Sequence, residues 1–402
     1  MKDPNSADTA VPRATRISGG HILTPFEEFS PGELLIKDGK IAAVGKELSA
    51  ETPAGVEQID ADGLFVTPGF IDLHTQGGCG WDIWMGTTEA LEGWSRCQAA
   101  HGVTSFMLTT GYATAGYDYL CKHLDCTAVA ARPLGVYLES PFCSVEKRGG
   151  ISRDRVGPVS VAKLDEIHAT LKDDLAMMTV APEREGALEV IAELVQRGII
   201  AAIGHTDCTY EQAREALDAG ATHVTHCFNA IRGFHHRDPG PLPLLLTDDR
   251  ADIELILDGF HIHPAVIDFA VRTKGIALTS VVTDNIRAAG LSQTDGTFQR
   301  MEQTIRVQGG LPRLEDGTIA GSTLTMDRAL ANVICFTGLP LKDALVMLTA
   351  TPARAVRVNE RKGQLKASFD ADVVLLDGDC TIHRTLVAGQ TVYKLNSVKS
   401  GG

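Results

Sequence analysis

The stretch LGVYLESPF, residues 134–142, places a charged residue at the end of an apolar run. Up to Leu138, apolar residues alternate with small or aromatic ones, which is typical of a largely buried β-strand. Glu139 follows, and Ser140–Pro141 supplies a turn, because the residue before a proline favours extended geometry. Considered alone, such a glutamate is more often a solvated surface charge than a functional group. The other strands of the chain decide between the two interpretations.

Eight apolar runs of this kind lie between about residue 66 and residue 350. Helical patterns separate them, in which apolar residues recur three and four positions apart and a glycine closes the helix. This alternation implies parallel strands, and eight units are the number in a (β/α)8 TIM-like barrel, an α/β fold. The runs are GFIDLHTQ, TSFMLTT, LGVYLES, AMMTVAPE, IAAIGHT, THVTHCFN, IELILDGFH and SVVTDN.

Most of these runs end in a residue that can bind a metal ion or transfer a proton. In a (β/α)8 barrel the carboxyl ends of the strands converge on one mouth, where catalysis takes place. A single histidine at a strand end is usually structural, but seven of eight runs ending in this way favour a functional site. The residues are His74, Glu139, Glu183, His205, His226, Asp258 with His261, and Asp284.

Glu139, His205 and His226 form a ligand set that suits one Zn²⁺ ion, with Fe²⁺ or Mn²⁺ as alternatives. An open position would hold a water, whose pKa a bound metal lowers towards ~7. Asp284, at the end of the eighth run, is the predicted catalytic residue, since a carboxylate there can move a proton from that water to a leaving amine. The alternative for Asp284 is that it caps a helix or a turn.

A second metal site is predicted to be weak at most. His74 and Gln76 alternate at the end of the first run, so their side chains point to the same face of the strand. A pair of histidines at this spacing would indicate a second metal ion. Glutamine is a poor zinc ligand, and the sequence therefore favours one tightly bound ion.

The stretch HCFNAIRGFHHRDPG, residues 226–240, is rich in hydrogen-bond donors. Arginine is suited to bidentate recognition of phosphate or carboxylate. Arg237, with Asn229 in the same loop and His261 at the seventh run, therefore indicates an anion-binding site. The alternative is a solvated loop, and for His235 alone that alternative is preferred.

Both ends of the chain read as short β-strands. Residues 33–45 contain a hairpin signal at Asp38–Gly39, and the C-terminal stretches ADVVLLDGD and TLVAGQTVYK have the same pattern. The sequence therefore predicts a small β-domain built from residues 14–65 and 355–402, a barrel over residues 66–354, and a flexible tail over residues 1–13.

Composition and charge restrict the class of protein. A net charge of −14 over 402 residues argues against a nucleic-acid partner. The N-terminus contains no apolar stretch of signal-peptide length, and no run of about 18 apolar residues occurs. The nine cysteines show no CxxC spacing, so neither a disulfide framework nor a structural zinc site is expected. We therefore expect a soluble, cytoplasmic protein without a membrane partner.

Nearly the whole chain resembles the N-acetylglucosamine-6-phosphate deacetylases of the amidohydrolase superfamily. The resemblance implies a distorted barrel with a β-sandwich built from both termini, and a homodimer. The matching stretches are PGFIDLHTQGGCG, YLESPF, TVAPE, GHTDCT, THCFNAIRGFHHRDPG, DGFHIHP, VTDNIRAAG, GSTLTMDRAL and TPARAV.

The resemblance also implies roles for individual residues. Glu139, His205 and His226 would bind the metal, and Asp284 would be the catalytic acid and base. The sugar phosphate would be held by Asn229, the backbone of Ala230, Arg237 and His261, and the arginine can come from the neighbouring subunit.

Three positions depart from the pattern of the family. Ser140 stands where a glycine is usual, and Arg287 stands where smaller residues are common. Ile151 occupies the position of a histidine near the acetyl carbonyl, and a donor of that kind is worth roughly 3–4 kcal/mol in well-studied cases. Arg153, Arg155 or Arg287 are candidates to replace part of this role.

The leading hypothesis is removal of the N-acetyl group from N-acetylglucosamine-6-phosphate, which releases acetate and glucosamine-6-phosphate. The nearest alternative is the same chemistry on another N-acylated amino-sugar phosphate, such as N-acetylgalactosamine-6-phosphate, or on another anionic amide. A third hypothesis is a non-catalytic metal-binding protein that has kept this fold.

Overall fold

The computed structural model of the protein describes residues 14–48, 55–111 and 130–396. The predicted flexible tail, residues 1–13, lies outside the described residues. Within them, the strands that precede the barrel are β1 (Ala14–Ser18), β2 (His21–Leu23), β3 (Glu28–Phe29), β4 (Glu33–Lys37), β5 (Lys40–Gly45), β6 (Glu57–Asp60) and β7 (Phe65–Pro68).

The central element is a parallel sheet of eight strands, and each strand coincides with one of the eight apolar runs. The strands are β8 (Phe70–Thr75), β11 (Val103–Thr110), β12 (Arg132–Leu138), β13 (Leu175–Val180), β14 (Ile200–Ile203), β15 (His223–Val224), β16 (Asp252–Ile256) and β17 (Thr279–Val282). Between the first two of these, β9 (Gly77–Gly78) and β10 (Trp81–Asp82) form a short antiparallel pair. The predicted barrel is therefore confirmed.

The barrel closes at its mouth through contacts between the segments that follow β8 and β17. Thr75 and Asn285 form a parallel bridge, and the backbone N–H of Asp284 donates to the carbonyl oxygen of His74 at 2.7 Å. Because these contacts join the first and last strands at their carboxyl ends, they bring two of the predicted site residues together.

Helices connect the strands, and they bury apolar residues. In the helix Ala187–Gln196 the side chains of Val190, Ile191 and Leu194 are buried, and Thr209 with Gln212 forms a capping box at the start of the helix Tyr210–Asp218. The described helices are α1 (Thr88–Ala100), α2 (Val161–Leu171), α3 (Ala187–Gln196), α4 (Tyr210–Asp218), α5 (Leu242–Thr247), α6 (Pro264–Lys274), α7 (Met326–Thr337), α8 (Leu341–Val346) and α9 (Ala350–Ala355). Single 3-10 turns occupy Ile83–Met85, Arg153–Arg155, Lys172–Asp174 and Ile276–Leu278.

An antiparallel sheet of three strands follows the last barrel strand and was not predicted. It consists of β18 (Gly296–Arg300), β19 (Gln303–Gln308) and β20 (Leu311–Arg313). The turn between its first two strands holds Met301 and Glu302, and both residues line the cleft at the barrel mouth. This sheet therefore contributes one wall of the cleft.

The small β-domain is built from both ends of the chain, as predicted. The C-terminal strands β21 (Val373–Leu376), β22 (Ile382–Val387) and β23 (Gln390–Lys394) join β7, β2 and β3 in one sheet, and β5, β4, β1 and β6 form another. Ile17 and Leu34 of the second sheet share a hydrophobic core with Val66 and Val373 of the first. Two sheets with one core form a β-sandwich, and β7 extends this domain three residues beyond the predicted boundary at residue 65.

A disulfide bond joins Cys79 and Cys97, which are 18 positions apart in the sequence. The cysteine spacing did not predict this cross-link. It forms because the β9–β10 segment, which carries Cys79, packs on α1, which carries Cys97.

Within the described segments, none of the helices is long and apolar enough to cross a lipid bilayer.

Asp370 connects the two ends of the chain within the small domain. It lies 2.6 Å from Nζ of Lys40, 2.9 Å from Nη1 of Arg361 and 3.2 Å from Nζ of Lys362. Burial alone raises the pKa of Asp370, but the hydrogen bond from Lys40 and the charge of Lys362 outweigh burial and lower this pKa to about 2. An aspartate with a lowered pKa stabilises the fold above its unfolded pKa, and this contribution disappears as the pH falls through the folded pKa.

We predict that Asp370→Asn lowers the free energy of unfolding by about 1–2 kcal/mol at pH 7, a value reduced for the solvent exposure of two of the cations. The difference between the wild type and the variant is expected to shrink as the pH falls from about 4 towards 2. Urea unfolding at a series of pH values measures it. A difference that stays constant down to the lowest pH would contradict the role assigned to the charge.

Candidate active site

Glu139, His205 and His226 meet at the centre of the barrel mouth. Oε1 of Glu139 lies 3.1 Å from Nε2 of His205 and 3.3 Å from Nε2 of His226, and the two nitrogens are 3.0 Å apart. The three residues follow β12, β14 and β15, and all three are buried. The structure therefore brings the three predicted metal ligands into contact with one another.

The hydrogen bonds on the far side of each ring fix the direction of its lone pair. Nδ1 of His205 lies 3.0 Å from the carbonyl oxygen of Lys147, and Nδ1 of His226 lies 3.2 Å from that of Asn229. A carbonyl oxygen only accepts hydrogen bonds, so each Nδ1 must donate, and a neutral ring then carries its lone pair on Nε2. Two nitrogen lone pairs and a carboxylate oxygen therefore face one another at the centre of the site.

A divalent metal ion fits this arrangement. Three facing lone pairs repel one another unless a cation lies between them. The three ligand atoms are separated by 3.0 to 3.3 Å. A tetrahedral ion with bonds of about 2.0–2.1 Å needs ligand atoms about 3.3 Å apart. The donor set of two imidazoles and a carboxylate is one that Zn²⁺ accepts with an open fourth position.

His74 borders the same centre. Its Nδ1 lies 3.0 Å from Oε2 of Glu254, and its Nε2 lies 3.3 Å from Oε1 of Glu139 and 3.5 Å from Oδ1 of Asp284. Burial disfavours protonation of His74, but the charges of Glu254 and Glu139 outweigh burial and raise its pKa well above the ordinary value. The raised pKa reflects a strongly negative site, of the kind that a bound cation neutralises.

Gln76 holds the two carboxylates of the site. Its Nε2 donates to Oε2 of Glu139 at 3.2 Å and to Oδ1 of Asp284 at 2.8 Å. Its Oε1 accepts from Nη1 of Arg300 at 3.2 Å. In this orientation the amide oxygen, the atom that could bind a metal, points towards Arg300. Gln76 therefore acts as a donor here, and a weak second metal site at His74 and Gln76 stays a prediction.

Asp284 directs its carboxylate into the cleft. Its backbone φ is 46°, and His205, His226 and Ala230 have φ values of 45°, 24° and 53°. Residues other than glycine seldom adopt these values, and such strained residues cluster at functional sites. The carboxylate accepts a hydrogen bond from Gln76. Asp284 follows β17 and does not begin any described helix, so capping of a helix does not explain it.

Glu254 belongs to the site and was not predicted. It lies on β16 with no exposed surface, and it accepts hydrogen bonds from Nε2 of His223 at 2.8 Å and the backbone N–H of His226 at 3.0 Å, besides its contact with His74. Burial alone raises the pKa of Glu254, but the charge of His74 outweighs burial and lowers it far below the ordinary value. The sequence contained a signal, because a glutamate interrupts the apolar run IELIL.

Glu139, His205 and His226 are called the ligand triangle below. Two other predicted strand-end residues support the site from outside this triangle. Glu183 accepts hydrogen bonds from the Thr206 hydroxyl and from the backbone N–H of Asp207, and thereby fixes the segment after His205. Asp258 lies 2.6 Å from Nδ1 of His261. Burial opposes protonation of His261, but the bond with Asp258 outweighs it and raises the pKa of His261, so this ring carries positive charge more readily.

The centre opens into a cleft with a volume of about 340 Å³. Three of the four predicted substrate-binding residues, Asn229, Ala230 and His261, line this cleft. Arg237, the fourth, is exposed and does not line it, and its Nη1 lies 2.8 Å from Nε2 of His236. The structure of a single chain therefore separates Arg237 from the other three.

The arginines near the cleft differ in their surroundings. Ile151 lines the cleft with an apolar side chain, so the position of the expected histidine contributes no side-chain donor. Arg287 is bound to Asp82 at 2.5 Å. Arg155 lines the cleft and stacks on the ring of Trp84 at 4.9 Å. Arg300, the last residue of β18, also lines the cleft, and nothing in the sequence indicated that it would lie there.

Comparison with known proteins agrees with this architecture. Residues 65–392 match the model of the amidohydrolase family. The chain is 33% identical to an N-acetylgalactosamine-6-phosphate deacetylase of Escherichia coli O157:H7, over 95% of this chain and 99% of that one. It is 32% identical to an N-acetylglucosamine-6-phosphate deacetylase of Lysinibacillus sphaericus, over 91% of this chain and 94% of that one.

A solved structure has the same fold. The N-acetyl-D-glucosamine-6-phosphate deacetylase of Mycobacterium smegmatis superposes with a TM-score of 0.86 at 32% identity, covering 94% of this chain and all of that one. Together with the barrel, the β-sandwich and the ligand triangle, these matches define the class: the chain belongs to the amidohydrolase family. Within that family it is similar to deacetylases of N-acetylated amino-sugar 6-phosphates.

Proposed function

We propose that the protein hydrolyses N-acetylglucosamine-6-phosphate to glucosamine-6-phosphate and acetate. The observation that supports this proposal most strongly is the juxtaposition, in one cleft, of three metal-binding side chains and the carboxylate of Asp284. An amide bond needs both an electrophilic centre that polarises its carbonyl and a group that returns a proton to nitrogen. His261 at the same cleft adds a ring whose protonation is favoured by its bond with Asp258, and a protonated ring suits a phosphate.

Glu139, His205 and His226 would hold one Zn²⁺ ion per subunit, with Fe²⁺ or Mn²⁺ as alternatives. When bound, such an ion polarises the amide carbonyl and lowers the pKa of a water to ~7. The residues of the chain supply the rest of the site. The carbonyl oxygens of Lys147 and Asn229 fix the tautomers of the two histidines, and Glu254 orients His74 beside them.

Asp284 would move the proton. Its carboxylate is held by the Gln76 amide at 2.8 Å, and the backbone at φ 46° directs it into the cleft. As general base it would take a proton from the attacking water, and as general acid it would deliver that proton to the departing nitrogen. Gln76 is in turn held by Arg300, which keeps a positive charge near the cleft wall that Ile151 leaves without a side-chain donor.

The phosphate would be bound at the other end of the cleft by His261, Asn229 and the backbone of Ala230. We propose that Arg237 completes this site in the neighbouring subunit of a homodimer, since in its own chain it is exposed and does not line the cleft. This arrangement would bring a cation to an anionic substrate in a chain of net charge −14. We also propose that the protein acts in the cytoplasm, where phosphorylated sugars are kept.

The galacto epimer is the second candidate substrate. The N-acetylgalactosamine-6-phosphate deacetylase of Escherichia coli O157:H7 is as similar to this chain as the deacetylases of the gluco substrate. Ile151 and Arg300 line the cleft, and they are the residues through which a different hydroxyl configuration or a different amide would be selected.

We predict that the protein reconstituted with Zn²⁺, Fe²⁺ or Mn²⁺ releases acetate from N-acetylglucosamine-6-phosphate, and that Asp284→Asn lowers kcat by about 10²–10⁴-fold. The amide of the variant keeps the size of the side chain and removes its basicity, so bound metal should be unchanged. Unphosphorylated N-acetylglucosamine and N-acetylgalactosamine-6-phosphate are assayed in parallel. Turnover of the variant at the wild-type rate would overturn the role of Asp284. If the metal-loaded wild type releases no acetate from any of the three substrates, the proposed reaction is overturned.

We predict that Arg237→Ala and Asp284→Asn complement one another in a mixed dimer. If Arg237 acts across the subunit boundary, the subunit with an intact Asp284 receives the intact arginine of its partner. Random assembly of the two variants would then restore about a quarter of the wild-type activity, because half of the dimers are mixed and each contains one complete site. Activity no higher than that of the separate variants would show that the arginine does not act in this way.

A further inference from the structure

A second group of metal-binding side chains lies outside the active site, where the β9–β10 segment packs on α1. Cys79, Cys97 and His101 each direct one ligand atom to a common point, and these atoms lie within 4.8 Å of one another. Cys97 is buried, whereas Cys79 and His101 are partly exposed. Two sulfurs and an imidazole form a ligand set that suits zinc, and the exposed side leaves access for water as a fourth ligand.

His101 is oriented as a metal ligand. Its Nδ1 lies 3.1 Å from Oδ1 of Asp327 at the start of α7. A carboxylate that accepts from Nδ1 leaves the lone pair on Nε2, which is the arrangement found behind most histidines that bind zinc. Here Nε2 of His101 and the two sulfur atoms lie around one point, the position that a Cβ would take at Gly290.

Gly290 leaves the space into which the three ligand atoms converge. A Cβ at this position would lie 2.8 Å from Sγ of Cys79, 2.9 Å from Nε2 of His101 and 3.2 Å from Sγ of Cys97. A side chain here would therefore collide with Sγ of Cys79 and Nε2 of His101 and crowd Sγ of Cys97. The backbone φ of 73° at Gly290 also disfavours other residues.

We propose that the protein with both cysteines reduced binds a second divalent metal ion, Zn²⁺, through Cys79, Cys97 and His101, and that the disulfide form does not bind it. The two states exclude each other by distance. Two thiolates on one tetrahedral zinc ion are about 3.8 Å apart, whereas the sulfurs of a disulfide are directly bonded.

The conversion between the disulfide form and the zinc-bound form is balanced in electrons and protons. A dithiol reductant gives two electrons and two protons to the disulfide and becomes a cyclic disulfide itself, which leaves two cysteine thiols on the protein. Binding of Zn²⁺ then releases the two thiol protons to water. Loss of the metal followed by oxidation with a small-molecule disulfide reverses the sequence.

The remaining cysteines of the described segments are poorer ligands. Burial raises the pKa of the Cys143, Cys208 and Cys227 thiols to about 12 and that of the Cys380 thiol to about 11, so they are held in the protonated form. Cys335 is exposed and belongs to no such cluster among the described residues. It therefore provides a matched control for thiol chemistry.

The second site lies close to the active centre along the chain, yet the proposal does not depend on the proposed reaction. The backbone N–H of Cys79 donates to the carbonyl oxygen of Ala289 at 2.7 Å, and that of Gly80 donates to Arg287 at 2.7 Å. A metal at Cys79 would thus connect α1 to the two segments that carry Gln76 and Asp284.

The test uses the full-length protein, reduced with a dithiol, stripped of metal and titrated with Co²⁺ without oxygen. Reduced wild type is expected to show the thiolate-to-cobalt absorption and to bind one more equivalent of Co²⁺ than Cys97→Ser. Oxidised wild type should lack this absorption, and Cys335→Ser should match the reduced wild type. Glu139→Gln should lose the equivalent bound at the active site and keep the absorption, because the active site contains no thiolate among its proposed ligands.

A variant that keeps all three ligands tests the site even if Cys97→Ser fails to fold. Asp327→Asn removes only the charge behind His101, and it should weaken Co²⁺ binding at the thiolate site by about 10–100-fold. The proposal is overturned if reduced wild type shows no thiolate-to-cobalt absorption, if Cys97→Ser keeps it, or if Asp327→Asn binds as tightly as the wild type.

Discussion

Two histidine nitrogens and a carboxylate oxygen face one another with their lone pairs within 3.3 Å, and the rest of the site depends on this contact. The arrangement costs free energy in the absence of a cation, so other parts of the fold must hold it. Backbone carbonyl oxygens fix each ring from behind, and the buried Glu254 fixes His74 and the backbone of His226. The barrel therefore provides a preorganised negative centre, which is the environment that a divalent ion requires.

The same constraint explains the strained backbone and the shape of the cleft. His205, His226 and Asp284 all have positive φ, and each lies just after the end of its barrel strand, where the backbone turns into the loops of the mouth. The bridge between Thr75 and Asn285 holds the first and last strands together at that mouth. Gln76 then ties Glu139 to Asp284, so the proposed metal ligand and the proposed catalytic group keep a fixed distance.

The sequence predicted what is encoded locally. The eight apolar runs located the barrel strands, and the residues at their ends located Glu139, His205, His226 and Asp284, because strand order and strand polarity alone bring these ends together. Glu254 had a local signal, a charge within an apolar strand, that was not used. Arg300 and the contact between Cys79 and Cys97 had none, since each depends on how a distant segment packs. The exposed position of Arg237, away from the cleft, could not be predicted for the same reason.

The proposed chemistry requires a metal ion between Glu139, His205 and His226. The decisive measurement is diffraction from crystals of the zinc-loaded protein on both sides of the zinc absorption edge. We expect an anomalous peak about 2.0–2.2 Å from Oε1 of Glu139 and from Nε2 of His205 and His226. A map without a peak between these three atoms, from crystals whose protein contains stoichiometric zinc, would contradict it.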